Sequence, residues 1–301
     1  MLATNLGKVQ LRNPTVLSAG FLGTSAASLL RVAESGAGAV TTKSIGPVYR
    51  EGHNNPIVVE YPSGLINAVG LPSPGYKEMD KEWDQLKELN VPLIISIYGN
   101  SVNEFREVAE AVAQKGPAML EVNISCPNTE KGQIFGTNVE LTREVVSTVK
   151  DVAGKVPIML KLTPNTPNIV EIAKACEEAG ANAISAINTL GPGMLIDINA
   201  RKPILHFKTG GVSGPAVFPI AVRCIYQIHE NVSLPILGIG GIVNSEDAIQ
   251  MMMAGASAVG IASAIHYKGI EVFNEICTGI EKYLKENSFS NVKDIVGIAH
   301  D

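Results

Sequence analysis

The sequence predicts an α/β protein folded as a single (β/α)8 TIM barrel, with insertions on the face where its strands end. Three observations carry this reading. Eight short β-branched and apolar runs recur along the chain: Thr15–Gly20, Gly38–Ile45, Leu93–Gly99, Met119–Ser125, Pro157–Thr163, Ala183–Asn188, Pro235–Gly241 and Ala258–Ala264. Most of them are continuously apolar, the mark of strands buried on both faces of a parallel sheet. Helical patterns lie between them, and such alternation over 301 residues fits one barrel, which typically needs about 250. A doubly wound parallel sheet is the alternative, and it would need a topological switch point.

Taken in order, the first two strands lead into a long connection from Gly46 to Pro92. It contains NNPIVVEYPSGLINAVGLPSPG and then a helix over Tyr76–Leu89. The third strand is followed by a helix over Ser101–Gln114, with Asn103 as its N-cap. Helices over Asn138–Ala153 and Asn168–Ala179 follow the fourth and fifth strands. A second long connection, Thr189 to Leu234, contains GPGMLIDINARKPILHFKTGGVSGPA and the helix Phe218–His229. Ser245–Ala254 follows the seventh strand and Gly269–Glu286 closes the chain. Gly180 and Gly255 read as C′ residues that end their helices. Both long connections lie where barrel strands end, the side that carries active sites. No linker interrupts the pattern, so residues 1–301 read as one domain.

Composition narrows the function. Hydrophobic residues make up 46%, charged residues 18% and aromatics 5%, beside 29 glycines, so the apolar content is aliphatic and the chain is not a disordered one. The net charge of −5 offers no basic footprint for nucleic acid and no polybasic membrane patch. MLATNLGKVQLRNP lacks a basic region followed by a long apolar run, so no signal peptide is expected. The uncharged stretch Ala248–Ile265 is interrupted by Gln250, Gly255, Ser257, Gly260 and Ser263 and reads as a helix half and a strand half, not a membrane span. Four scattered cysteines without a C-x-x-C predict no zinc or iron–sulphur site in this chain and fit a reducing cytoplasm.

Polar residues gather at the strand ends. They are Lys43 and Ser44 after strand two, Ser96 in strand three, and Asn123, Ser125 and Cys126 at strand four. Lys161 and Thr163 end strand five, Asn188 and Thr189 strand six, Gly240 and Gly241 strand seven, Ala262 and Ser263 strand eight. An unpaired buried ammonium is costly, so Lys43 and Lys161 point to an anionic or electron-rich ligand in the barrel mouth. The alternative is a lysine that snorkels at a strand end. The run GIGGIVNSEDA reads as a tight turn entering a helix, where backbone amides and the helix N-terminus favour a phosphate. Cys176, Cys224 and Cys277 lie on apolar helix faces, the ordinary place of a structural thiol. Cys126 differs: it stands in the polar turn EVNISCPNT, where a thiol can serve as nucleophile or base. No histidine is close to it in sequence, which leaves a Cys–His protease dyad without support. Thr129–Asn138 reads as a glycine-containing loop able to close over the site.

Together these motifs resemble the family 1 dihydroorotate dehydrogenases. The matching runs are TTKSI, NAVGLPSPG, EVNISCPNT, KGQIFGTN, KLTPN, INTLGPGMLID, GGVSGPA, GIGGI and AVGIASAI, in order over nearly the whole chain. The resemblance implies a barrel that binds FMN at the strand C-termini and oxidises dihydroorotate to orotate in pyrimidine synthesis. It implies Cys126 as the base that removes the C5 proton while the C6 hydride passes to flavin N5. Asn67, Asn123, Asn188 and Thr189 would hold the pyrimidine, within a loop that also brings Ala68, Val69, Gly70 and Leu71 to the substrate. Lys43 would lie near both flavin and substrate, and Lys161 against the pyrimidine end of the flavin. Ala19, Ser44, Asn123, Ile187, Gly214, Gly240, Gly241, Ala262 and Ser263 complete the implied flavin site.

Four places depart from the family's usual pattern: Ala19-Gly20 for Ser-Gly, Ser96 for a frequent Asn, Pro72-Ser73 for a polar-Asn pair, and Asn138 for a frequent Asp. NTLGPGMLID, followed by Arg201-Lys202-Pro203, and the short N-terminus resemble the NAD-linked 1B catalytic subunits. That resemblance implies a second subunit carrying FAD and a [2Fe–2S] cluster, in a heterotetramer built on a homodimer of this chain. A fumarate-dependent 1A homodimer is the alternative within the family. Outside it stand a non-redox barrel isomerase or aldolase acting on a phosphorylated metabolite, and a non-catalytic binding subunit.

Overall fold

The structure is a computed structural model and describes residues 1–125 and 135–300. Eight parallel strands close a barrel: β1 (Thr15–Leu17), β2 (Ala39–Thr41), β3 (Leu93–Ile97), β4 (Met119–Asn123), β5 (Ile158–Leu162), β6 (Ala183–Ala186), β7 (Ile236–Ile239) and β8 (Ala258–Ile261). Each pairs with its sequence neighbour, and β8 returns to β1 through Val259↔Thr15, Gly260↔Val16 and Ile261↔Leu17. All eight predicted strands are present, each shorter than its apolar run because the run continues into the loop above.

Successive side chains alternate between the inside and the outside of the barrel. Outward residues such as Leu17, Val40, Ile95, Leu120 and Leu160 join the helices in one large core. Inward residues Val16, Ala39, Ile94, Met119, Met159, Ala183, Leu237 and Ala258 form a second cluster with Leu6, Val9 and Leu11. Those last three belong to an N-terminal antiparallel hairpin, Thr4–Leu6 with Val9–Leu11, which plugs the bottom of the barrel.

The helices are α1 (Ala26–Glu34), α2 (Asp80–Leu86), α3 (Val102–Ala113), α4 (Val139–Ala153), α5 (Ile169–Glu178), α6 (Phe218–His229), α7 (Ser245–Met253), α8 (Ala264–Lys268) and α9 (Val272–Glu286). α1 falls between the first two strands, where the sequence reading named no helix. Ser101, not Asn103, caps α3: Ser101 is extended (φ −148, ψ 161) and accepts from the Glu104 amide, whereas Asn103 lies inside the helix. The expected terminal helix from Gly269 starts at Val272 and is preceded by the separate α8. Asn138 caps α4 by accepting from the Leu141 amide, so an amide at this position serves the helix as an Asp would. Gly180 (φ 90) and Gly255 (φ 116) do stand in the left-handed region just past α5 and α7. The uncharged stretch Ala248–Ile265 divides into the end of α7, strand β8 and the start of α8. Among the described residues no helix is long and apolar enough to cross a membrane.

The two long connections meet above the barrel as one antiparallel sheet. Its order is Leu190–Gly193, Gly210–Ser213, Gly64–Asn67, Val58–Tyr61. Gly64–Asn67 comes from the first connection and pairs with Gly210–Ser213 from the second, through Gly211↔Asn67, Val212↔Ile66 and Ser213↔Leu65. Ser73 ties the first connection down: its buried hydroxyl accepts from the Gly46 and Gly75 amides, both at 3.1 Å.

The hairpin plug makes a direct claim about stability. Leu11 is 2% exposed inside the barrel, so Leu11→Ala should cost about 2–5 kcal/mol in urea unfolding. A loss below about 0.5 kcal/mol, the scale of a surface change, would remove the hairpin from the core. A second claim concerns acid. His229 on α6 faces His300 at 4.8 Å between rings, His300 stacks on Tyr226 at 3.8 Å, and Glu230 lies 3.8 Å from His300. Burial, and then the neighbouring His300, hold His229 below the ordinary histidine value. The folded chain therefore takes up this proton less readily than the unfolded chain. Its stability should fall as pH drops through about 6.5 towards the lower folded value, and His229→Gln should flatten that slope in thermal melts from pH 7.5 to 5.

Candidate active site

A cavity of about 310 Å³ opens at the C-terminal ends of the barrel strands, under the four-stranded sheet. β2 leads into Lys43 and Ser44, β4 supplies Asn123 and β5 supplies Lys161. Asn188 and Thr189 follow β6, and Ala262 and Ser263 follow β8. Ala19 lines it after β1, and the first connection contributes Asn67, Val69, Gly70 and Leu71. A smaller lobe of about 80 Å³ shares Ala19, Lys161, Asn188 and Ser263 with the first and adds Ile187, Gly214, Gly240 and Gly241. The structure thus brings most of the residues singled out from sequence to one place; Ser96 and Ser125 lie in the polar network beneath the lining, and Ala68, Thr163 and Cys126 are not among the lining residues either. Ala68 is fully buried and packs with Ile66 and Leu205 in the sheet above, while its carbonyl meets His53 Nδ1 at 3.0 Å. Thr163 lies just behind the lining, where its hydroxyl accepts from the Asn165 amide. Cys126 lies outside the described residues, as does most of the loop Thr129–Asn138.

The two lysines sit in different electrostatic surroundings. Lys161 is 5% exposed and lies 3.7 Å from Glu121, a carboxylate with no exposure at all. Lys43 is half-buried and has no acidic partner among the described residues, and burial pushes its ammonium below the ordinary lysine value. Neither lobe is lined by an Asp or Glu. Among the described residues, the mouth therefore carries a positive charge at Lys43 with no acidic side chain beside it.

Beneath the lining runs a buried polar network that joins Ser44, Ser96, Asn123, Ser125 and Asn188 to two residues the sequence did not single out, Glu121 and Ser185. Ser96 and Ser185 donate to the two oxygens of Glu121 at 2.9 and 3.0 Å. Ser44 and Ser96 meet at 2.8 Å, and Asn123 Nδ2 donates to Ser44 at 3.1 Å. Ser125 donates to Asn123 Oδ1 at 3.2 Å through both its amide and its hydroxyl, and Asn188 Nδ2 donates to the Ser125 hydroxyl at 2.9 Å. The signal for Glu121 was present in the sequence. It is an acidic residue in an apolar strand, at the same parity as Met119 and Asn123, so it points inward with them.

The glycine turn after β7 needs its glycines. Gly240 (φ +135) and Gly241 (φ +75) are in conformations that L side chains avoid, and a Cβ on Gly241 would stand 2.8 Å from the Gly214 carbonyl. Among the described residues no backbone carbonyl accepts from the amides of Gly241, Ala262 or Ser263. Asn244 accepts from the Asp247 amide, Asp247 accepts from the Val243 amide, and Glu246 and Asp247 place two carboxylates in the first turn of α7. Cys176, Cys224 and Cys277 are buried and free, with burial pushing each thiol above its ordinary value. Among the described residues no three His, Cys, Asp or Glu side chains gather as metal ligands do.

Comparison with known proteins identifies the family. The sequence profile of the family described as dihydroorotate dehydrogenase matches residues 1–284. A protein of Methanothermobacter thermautotrophicus named dihydroorotate dehydrogenase B (NAD(+)), catalytic subunit, is 48% identical, covering 100% of this chain and 99% of that one. Proteins of the same name from Methanosarcina acetivorans and Pyrococcus abyssi are 46% and 44% identical, each over 99% of this chain and over 96% and 99% of their own. The chain belongs to the dihydroorotate dehydrogenase family, whose members are oxidoreductases that convert dihydroorotate to orotate in pyrimidine biosynthesis.

Proposed function

We propose that this chain is the FMN-binding catalytic subunit of an NAD-linked dihydroorotate dehydrogenase, one barrel domain working in the cytoplasm. The observation that supports the site assignment is the two-lobed cavity, with amides and a cation unpaired among the described residues in one lobe and a glycine cradle in the other. The cradle fits a flavin phosphate and ring: glycines leave room for close approach, and the Ser18 hydroxyl, buried beside them, has no partner among the described residues. Gly214, Gly240, Gly241, Ala262 and Ser263 would hold the phosphate and ribityl chain, with Ala19, Ile187, Ser44, Asn123 and Lys161 around the ring. When bound, FMN supplies the hydride acceptor.

The remaining residues bind and orient the substrate. Asn67, Asn123, Asn188 and Thr189 offer amide and hydroxyl groups that match a pyrimidine's alternating donors and acceptors. Val69, Gly70 and Leu71 cover it, and Lys43 pairs with its carboxylate. Cys126 takes the C5 proton. The names of the relatives support a partner subunit, and the reading assigns to it FAD and a [2Fe–2S] cluster, in a heterotetramer around a homodimer of this chain.

Purified protein should be yellow and should bleach on adding dihydroorotate. Cys126→Ala should slow that bleaching about 10²–10⁴-fold at neutral pH and keep its FMN. Undiminished bleaching in the variant would remove Cys126 from the reaction. Orotate affinity gives an independent check on Lys43. Burial holds its ammonium below the ordinary lysine value, so orotate binding should weaken as pH rises, at a lower pH than an ordinary lysine would give. Lys43→Met should bind weakly and lack that dependence. A wild-type pH profile parallel to that of the variant would sink the assignment.

A further inference from the structure

Among the described residues only two charged side chains are buried, Glu121 and Lys161, and they face each other inside the barrel. At 3.7 Å the carboxylate is close enough to balance the ammonium's charge and too far to take a hydrogen bond from it. Glu121 is satisfied elsewhere, accepting from Ser96 and Ser185 at 2.9 and 3.0 Å. Lys161 thus keeps its donors for the cavity. It is the one charged residue that lines both lobes, whereas Glu121 lines neither. Uptake of a hydride brings a flavin two electrons and one proton, so the ring gains one negative charge. An ammonium beside the ring stabilises that charge, and a carboxylate behind the ammonium opposes it. In a site closed from water such effects reach over several ångströms.

We infer that Glu121, acting through Lys161, sets the reduction potential of the flavin: by balancing the ammonium it keeps the reduced form from being held too tightly, so that the electrons can be passed on. The inference rests on the reading of the glycine-lined lobe as the FMN site of an NAD-linked enzyme and deepens it. An electron route that ends on a nicotinamide needs a strongly reducing flavin, and a bare ammonium at the ring works against that. The pair separates two tasks that one lysine cannot perform alone. Lys161 supplies hydrogen-bond donors to the ligand, and Glu121 offsets the charge that comes with them.

The test is the midpoint potential of the FMN-loaded protein, read by equilibration with a dye of known potential at neutral pH. Glu121→Gln keeps the shape and removes the charge. The reduced form should gain about tenfold over the oxidised one, a rise of about 30 mV for a two-electron couple. Glu121→Asp keeps the charge and draws it back by one methylene, so its potential should lie between those of wild type and Glu121→Gln. A purely structural role would not order the three proteins by charge. If Glu121→Gln does not fold, Glu121→Asp decides alone, and its potential should stand above wild type. A potential at or below wild type in the deciding variant overturns the inference. A rise in Glu121→Asp as large as that in Glu121→Gln overturns it too, because the effect would then follow packing and not charge. Wild-type protein that takes up no FMN sinks the reading of the lobe, and the inference with it; FMN uptake with an unmoved potential sinks the inference alone.

Discussion

A carboxylate shut inside a barrel sets the terms for everything above it. Taking Glu121 out of water is tolerable only because two hydroxyls and one ammonium replace the lost hydration. The layers below it, from Met119 and Met159 down to the hairpin plug, are apolar and ask nothing of their neighbours but shape. The layer that contains it is polar and satisfied, and that layer is the floor of the cavity. The barrel is thus divided along its length into a part that holds the fold together and a part that holds a ligand. Removing Glu121 would leave Lys161 as an uncompensated charge, so floor and fold are energetically linked at this level.

The walls of the cavity come from elsewhere. Two connections far apart in sequence pair as Gly64–Asn67 with Gly210–Ser213, and this sheet carries Asn67 and Ser213 to the mouth. Asn67 is held there by its own donation to the Gly211 carbonyl at 3.2 Å. Ser73 anchors the same connection through two backbone amides, a job that a polar side chain of its size can do at a position where the family more often has another residue.

The barrel was legible because parallel strands buried on both faces write themselves as apolar runs, and every one of the eight runs became a strand. The cap sheet was not legible. Its strands LGPG and GGVS are short and rich in glycine and proline, which lowers strand propensity, and their partners lie in the other connection. α1 was missed because SAAS opens it with small residues that carry little periodic signal. Asn103 was a sound capping residue in the wrong place, since capping depends on the extended backbone that Ser101 adopts. The site residues were legible wherever a polar group broke an apolar strand. The same rule, applied to acids as it was to lysines, would have found Glu121.

Lys43 and Lys161 lead to a last distinction. Both are lysines at barrel strand ends and both line the cavity, yet their surroundings give them opposite duties. Lys161 already has its anion in Glu121, so it presents a neutral pair with a directed dipole. Lys43 has none among the described residues, and burial works against its charge. A ligand with a carboxylate relieves that cost, and a neutral ligand of the same shape does not. Asn123 and Asn188 are held by backbone groups of Ser125 and Thr189, and the Lys43 ammonium, unpaired among the described residues, favours an anion. On the proposed reading of the cavity, shape and hydrogen bonding would admit several pyrimidines, and a cation unpaired among the described residues narrows them to those that bring their own negative charge.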